Sequence, residues 1–213
     1  MFQRLLGLVT AAFLSFSVYA ADPVAGVDYK ILKTPQPVAS GNKVEVAEFF
    51  WYRCPHCYHL EPALATWLKK LPRDAQMRRI PAVFNEGWLP GAKLYYTLSQ
   101  MKLVDKLHTE VFDAIHLDNL DLGDPAVLGD WIAKKGVDRK KFEALYNSFS
   151  IQALAAQGSR VAAPYELRGV PAFVVDGKYQ TSQSMTGTEA RLFEVLDQLI
   201  AKARAERAAK KKR

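Results

Sequence analysis

The chain has 213 residues, 49% of them hydrophobic, a formal net charge of +7 and two cysteines. Arg4 carries one of those charges and residues 202–213, with seven Lys/Arg against Glu206, carry six, so residues 21–201 balance to zero and the basic total gives no support to a nucleic-acid face. The length suffices for a sizeable core, the only low-complexity stretch is the Ala/Lys/Arg tail, and nothing after residue 20 is apolar over the ~20 residues that a membrane-spanning helix needs.

Residues 1–20 read as a secretory signal. Arg4 gives a positive start, Leu5 to Val18 is mostly apolar, and Val18-Tyr19-Ala20 places small residues where a signal peptidase reads, so cleavage is expected after Ala20. The apolar run is too short for a membrane anchor. From Ala21 to Asn42, Pro, Gly and Val predominate, which predicts an extended entry with a short edge strand near Tyr29 to Leu32. Lys43 to Trp51 then reads as a buried strand that delivers Cys54 to the carboxyl end of a sheet.

Cys54-Pro55-His56-Cys57 holds the only two cysteines of the chain. Three residues along a helix is about one turn, so both sulfurs fall on one side, the first exposed and the second more covered. Pro55 fits a first helical turn, where its missing N–H costs nothing. Cys54 then sits at the helix N-terminus, whose free N–H groups and positive dipole end favour a thiolate, and His56 adds a further donor. A redox site accounts for this arrangement. Two other readings use the same residues: a structural disulfide, whose small loop would remove only about 2 kcal/mol of chain entropy, and a metal site built from Cys54, His56, Cys57 and His59, which lacks a second ligand pair elsewhere. Export to an oxidising compartment accords with the redox reading.

Tyr58 to Leu71 continues as helix with a kink expected at Pro62, and Gln76 to Val83 is a second strand ending in a turn at Pro81. From Gly87 to about Tyr165 the apolar period becomes helical: Val104, Leu107, Val111, Phe112 and Ile115 share one face, as do Phe142, Leu145, Tyr146 and Phe149. Asp124-Pro125 and Asp138 mark helix starts in this block of four or five helices. Ala172 to Val175 is a strand, Asp176-Gly177 a hairpin turn and Lys178 to Gln180 the return. A last helix starts at Thr188, buries Leu192, Val195, Leu196 and Leu199, and frays into a solvated basic end. Glu48 shares strand phase with Val44, Val46 and Phe50; it either carries protons for or tunes the dithiol, or meets water at a sheet margin. His59 is placed at the rim, and His108 and His116 read as surface or boundary residues of an amphipathic helix.

Glu48-Phe49-Phe50, Cys54-Pro55-His56-Cys57-Tyr58, Leu167-Arg168-Gly169-Val170-Pro171-Ala172 and Asp176-Gly177-Lys178-Tyr179-Gln180 together resemble the DsbA family of bacterial disulfide oxidoreductases in the thioredoxin superfamily. The resemblance implies an α/β chain: a thioredoxin-like fold, residues 21–86 and 162–213, with an all-helical domain inserted at residues 87–161. It implies a cis bond before Pro171, with a substrate strand pairing at Val170, and electrostatic partners for Glu48 in Glu61 and Arg79. It further implies a periplasmic oxidase that donates a Cys54–Cys57 disulfide to reduced, unfolded exported proteins. A quinone-linked membrane partner of the DsbB type would reoxidise it, with no metal or bound organic cofactor. A reductase or isomerase of the same superfamily, a peptide-binding chaperone and a copper or zinc carrier are the other readings; Pro-His between the cysteines and Val before the proline resemble the oxidase pattern, and the last two are separable by whether Cys54 or His56 is required.

Overall fold

A computed structural model describes residues 21–211; the secretory signal and its cleavage after Ala20 lie outside the described residues. Five strands form one mixed sheet in the order β1-β5-β4-β2-β3. Inside it, β2 (Val44–Phe50) pairs in parallel with β3 (Ala75–Pro81) and antiparallel with β4 (Ala172–Val175). Beyond β4 lie β5 (Tyr179–Thr181) and the two-residue β1 (Lys30–Ile31). All seven residues of β2 are buried because both faces of the sheet are covered, which is why its sequence is nearly continuous in apolar residues.

Strand alternation sorts those side chains. Val44 and Val46 pack with Leu60, Leu64 and Trp67 of α1 (Pro55–Leu68) and with Val195, Leu196 and Leu199 of α8 (Glu189–Lys211). Ala47 and Phe49 face the other way, onto Ile80, Ala162, Tyr165 and Val174. Each large apolar side chain so buried contributes about 1.5–3 kcal/mol. Phe50, at the end of β2, reaches instead into the helical core with Leu107, Val111 and Phe112. The expected fold class is thus present, with minor shifts of boundary: α1 passes through Pro62 and ends at Leu68, short of Leu71, and β3 ends at Pro81.

Between β3 and β4 run α2 (Leu89–Gln100), α3 (Val104–His116), α4 (Pro125–Lys134), α5 (Arg139–Tyr146) and α6 (Phe149–Ala162). Asp124 caps α4 by accepting the Ala126 and Val127 N–H groups at 2.8 and 3.0 Å, and Asp138 caps α5 by accepting that of Lys141 at 3.0 Å. Such caps are worth about 1 kcal/mol each. A four-residue helix, α7 (Gln183–Thr186), separates β5 from α8 and had no sequence signal.

The β4–β5 turn has positive φ at both Asp176 (53°) and Gly177 (64°), the two-residue geometry that Asp-Gly favours. A Cβ on Gly177 would stand 2.1 Å from the Gln36 carbonyl oxygen. Gly177→Ala should therefore cost more than the ~1 kcal/mol of positive φ alone, read as a lowered denaturation midpoint. The same turn corrects the expectation of a frayed basic tail. Ala203 is fully buried, Arg204 Nη2 donates to Asp74 Oδ1 at 2.8 Å, Arg207 Nε donates to Asp176 Oδ1 at 2.8 Å, and Lys178 Nζ donates to Glu206 at 2.9 Å. The helix end is held by carboxylates of two distant turns, a fact that local charge counting misses.

Candidate active site

After β2 the chain turns through Trp51, Tyr52 and Arg53, closed by the Cys54 N–H donating to the Trp51 carbonyl at 2.9 Å. Cys54 is itself the residue that precedes α1, with extended dihedrals (φ −83°, ψ 115°), and Pro55 opens the helix. Its sulfur thus occupies the place where a capping oxygen usually sits, next to the free N–H groups of His56 and Cys57. Both cysteines are thiols; Cys54 retains 7% exposure and Cys57 2%, while Pro55 and His56 lie exposed beside them. The expected ranking of the two sulfurs holds, although Cys54 is more covered than the sequence implied.

The environment drives the two thiols apart. A hydrogen bond from the Cys57 thiol, outweighing the cost of burial and assisted by the N–H groups of Cys57 and His56 and by the charge of His56, brings the Cys54 pKa from 9.0 down to about 6. Cys57 moves strongly upward, chiefly through burial, then through its bond to Cys54 and the charges of Cys54 and Glu48. The sequence had identified the helix end and His56; the partner sulfur is the larger cause.

Across from the cysteines the Val170–Pro171 peptide is cis. Phe49 of β2 lies opposite Ala172 of β4, so the two residues before β4 fall level with the chain leaving β2. That register brings the Cys54 thiol, as donor, to 3.4 Å from the Val170 carbonyl oxygen, over 116 residues of sequence. A groove of about 690 Å³ is lined by His56 and Val170 together with Arg168, Lys30, Gln180 and Ser182.

Beneath the cysteines lies a buried polar cluster. Glu48 and Arg79 are directly opposed in the parallel β2–β3 pairing, and Arg79 Nε donates to Glu48 Oε2 at 3.1 Å. Arg79 Nη2 donates to Glu61 Oε1 on α1 at 2.7 Å. Glu48 is 2% and Glu61 4% exposed, so the alternative in which Glu48 meets water at a sheet margin is corrected. Burial, only partly opposed by the Arg79 charge and reinforced by Glu61, raises the Glu48 pKa from 4.5 to about 7.

His108 was misplaced by the sequence reading. It is 4% exposed, ringed by Phe50, Tyr52 and Phe112 with centroids 5.2 Å away. Its Nδ1 lies 2.8 Å from the Tyr52 hydroxyl, and its Nε2, without a hydrogen-bond partner among the described residues, is 3.7 Å from Glu61 Oε2. Desolvation lowers its pKa, so it is neutral near pH 7. The overlooked signal was its position: Val111 and Phe112 stand three and four residues on, which places the imidazole on the apolar stripe of α3. His116 occupies the boundary, with Nε2 2.8 Å from the Tyr52 carbonyl oxygen and its ring stacked on Tyr58 at 4.7 Å. His59 is exposed. Among the described residues no group of three or more His, Cys, Asp or Glu side chains is placed to hold a metal ion.

The family described as "DSBA-like thioredoxin domain" matches residues 68–200 of this sequence. The thiol:disulfide interchange protein DsbA of Burkholderia cepacia is 42% identical over 197 residues, 92% of this chain and 92% of that protein. The protein of the same name from Pseudomonas aeruginosa is 39% identical over 204 residues, 96% of each. Among solved structures, Pseudomonas aeruginosa DsbA superposes with a TM-score of 0.82 at 40% identity, over 88% of this chain and 96% of that one. The oxidoreductase DsbA of Xylella fastidiosa does so at 0.79 and 28% identity, over 86% and 98%.

Proposed function

The chain belongs to the DsbA-like thioredoxin-domain family, and from that premise we propose that it is a periplasmic thiol:disulfide oxidoreductase that donates a Cys54–Cys57 disulfide to newly exported proteins. The observation that carries this reading is the unequal pair of sulfurs: Cys54 is brought down to about 6 while Cys57 is pushed up. A thiolate of the reduced substrate attacks Cys54 Sγ. The new S–S bond forms as the Cys54–Cys57 bond breaks, and Cys57 leaves with the electron pair and takes up a proton. A second substrate thiolate then attacks the substrate sulfur of the mixed disulfide, and Cys54 departs as thiolate, a good leaving group because its pKa is low. Two substrate thiols have lost two electrons and the enzyme disulfide has become a dithiol.

Val170 and Pro171 hold the substrate strand against Cys54. His56 favours the Cys54 thiolate through its N–H and charge. Glu48 is a buried acid whose charge acts on Cys57, so we assign it the exchange of the Cys57 proton, with Arg79 and Glu61 fixing its position. Reoxidation falls to a quinone-linked membrane partner of the DsbB type. We divide the chain into a signal over residues 1–20, a thioredoxin-like domain at 21–86 and 162–213, and a helical insertion at 87–161.

Oxidative refolding of a reduced, disulfide-requiring protein by the disulfide form tests the assignment. The native chain should accelerate formation of the client's disulfides, and Cys54→Ser should return the rate to the uncatalysed background. Equal promotion of folding by Cys54→Ser would replace the oxidase with a peptide-binding chaperone.

A further inference from the structure

The groove beside the cysteines is lined by charges of one sign. Lys30, His56 and Arg168 line it and no carboxylate does, although residues 21–201 are electrically balanced overall. The segregation is therefore local. Glu166, just outside the lining, stands 3.8 Å from Lys30 Nζ and 4.0 Å from that of Lys33, so one carboxylate is shared between two lysines and the exposed Arg168 adds to the surplus. A second observation points into the same groove. Gln180 sits in the middle of β5, opposite Val174 on one side and Lys30 on the other, and is 6% exposed. Its side-chain oxygen, closed off from solvent, has no hydrogen-bond partner among the described residues, and a small movement of the lining would offer this unpaired acceptor to a donor.

We propose that this groove selects reduced polypeptide segments that carry Asp or Glu within a few residues of the reacting cysteine, with Gln180 accepting a hydrogen bond from a backbone N–H of the segment. The inference rests on the oxidoreductase reading and adds the class of substrate. An extended chain advances about 3.3 Å per residue, so a carboxylate two to four residues from a sulfur at Cys54, which lies 3.4 Å from the Val170 carbonyl oxygen, comes within reach of the groove that Val170 helps to line. Exposed charges act mainly on the rate of encounter, and over such distances salt screens them.

Three dithiol peptides that differ only in having Asp, Asn or Lys three positions from the first cysteine test this, with peptide thiols counted after acid quenching of their reaction with the disulfide form. The Asp peptide should exceed the Lys peptide in kcat/KM by about tenfold at low ionic strength, the ratio collapsing toward one in ~1 M salt. The double variant Lys30→Gln, Arg168→Gln should abolish the ratio. Dividing the Asp/Lys ratio of the native chain by that of the double variant cancels any effect of the neighbouring charge on the peptide's own thiol. Gln180→Leu, close in size, should raise KM severalfold for all three peptides with little change in kcat. A ratio below about twofold in the native chain, a ratio that survives the double variant, or an unchanged KM in Gln180→Leu overturns the proposal. The two failures separate cleanly: if none of the peptides is oxidised the oxidoreductase reading is wrong, whereas equal oxidation of all three sinks only the charge preference.

Discussion

Arg79→Met is expected to destabilise the fold by about 3–5 kcal/mol near pH 8 and by much less near pH 4.5. Arg79 contacts both Glu48 and Glu61, at 3.1 and 2.7 Å, and its side chain is 16% exposed. Burial alone would lower the Arg79 pKa, but the two carboxylates outweigh it and raise it. Burial first, with the charge of Glu61 added, outweighs the pull of Arg79 and raises the Glu48 pKa to about 7. The sign follows from proton linkage. Between 4.5 and about 7 the folded chain retains on Glu48 a proton that the unfolded chain has lost, so this group's contribution to stability falls as pH rises through that window. Without Arg79, which opposes the effect of burial on Glu48, desolvation keeps that carboxyl protonated further up the pH scale and the decline becomes longer. Methionine keeps much of the apolar volume, which separates the loss of charge from the opening of a cavity. Denaturant titrations from pH 4.5 to 8 measure the difference. Parallel curves for variant and native chain would contradict the account.

The second large effect is on the sulfurs. The folding stability of the dithiol form should rise relative to that of the disulfide form as the solution becomes more alkaline, because only the dithiol can hold the Cys54 thiolate. Its pKa is lowered from 9.0 to about 6, so the gain is absent well below pH 6, about 1.4 kcal/mol at pH 7 and about 4 kcal/mol above pH 9. A lowered pKa contributes stability that is complete above the unperturbed value and is lost as pH falls through the folded one, which sets the window at 9 to 6. For a two-electron couple, 1.4 kcal/mol is about 30 mV, in the direction of a stronger oxidant. Thiolate absorbance in the far ultraviolet should titrate with its midpoint near 6 in the native chain. In Cys57→Ala, which removes the largest stabilising bond, the midpoint should move upward. A native midpoint near that of a free thiol would mean that the sulfur is not held as inferred.

These two expectations draw on different depths of information. The thiol pair rests on local geometry, since a strand, a three-residue turn, a proline at the first helical position and a spacing of three suffice to put Cys54 at a helix end. The buried cluster depends on which residue of β3 lies opposite Glu48. A slip of one position in that pairing would point the β3 side chain at Glu48 to the other face of the sheet. No window of sequence fixes such a register.

From the chain of letters alone come the buried strand that leads to the cysteines, the Cys-Pro-His-Cys helix start, the Asp124 and Asp138 caps and the Asp-Gly hairpin, because each is decided by residues within one or two turns of one another. The meeting of Val170 with Cys54, the burial of Glu48, Glu61 and His108 and the ion pairs that hold the basic end of α8 belong to the tertiary structure. Their common physical reason is that the state of a charge or a polar group is set by what surrounds it in space, and those neighbours come from distant segments. Arg79 and Glu61 are 18 residues apart, Tyr52 and His108 56, and Arg204 and Asp74 130. Periodicity can place an imidazole on a stripe, but only the packed interior decides that a hydroxyl and a carboxylate wait on the other side.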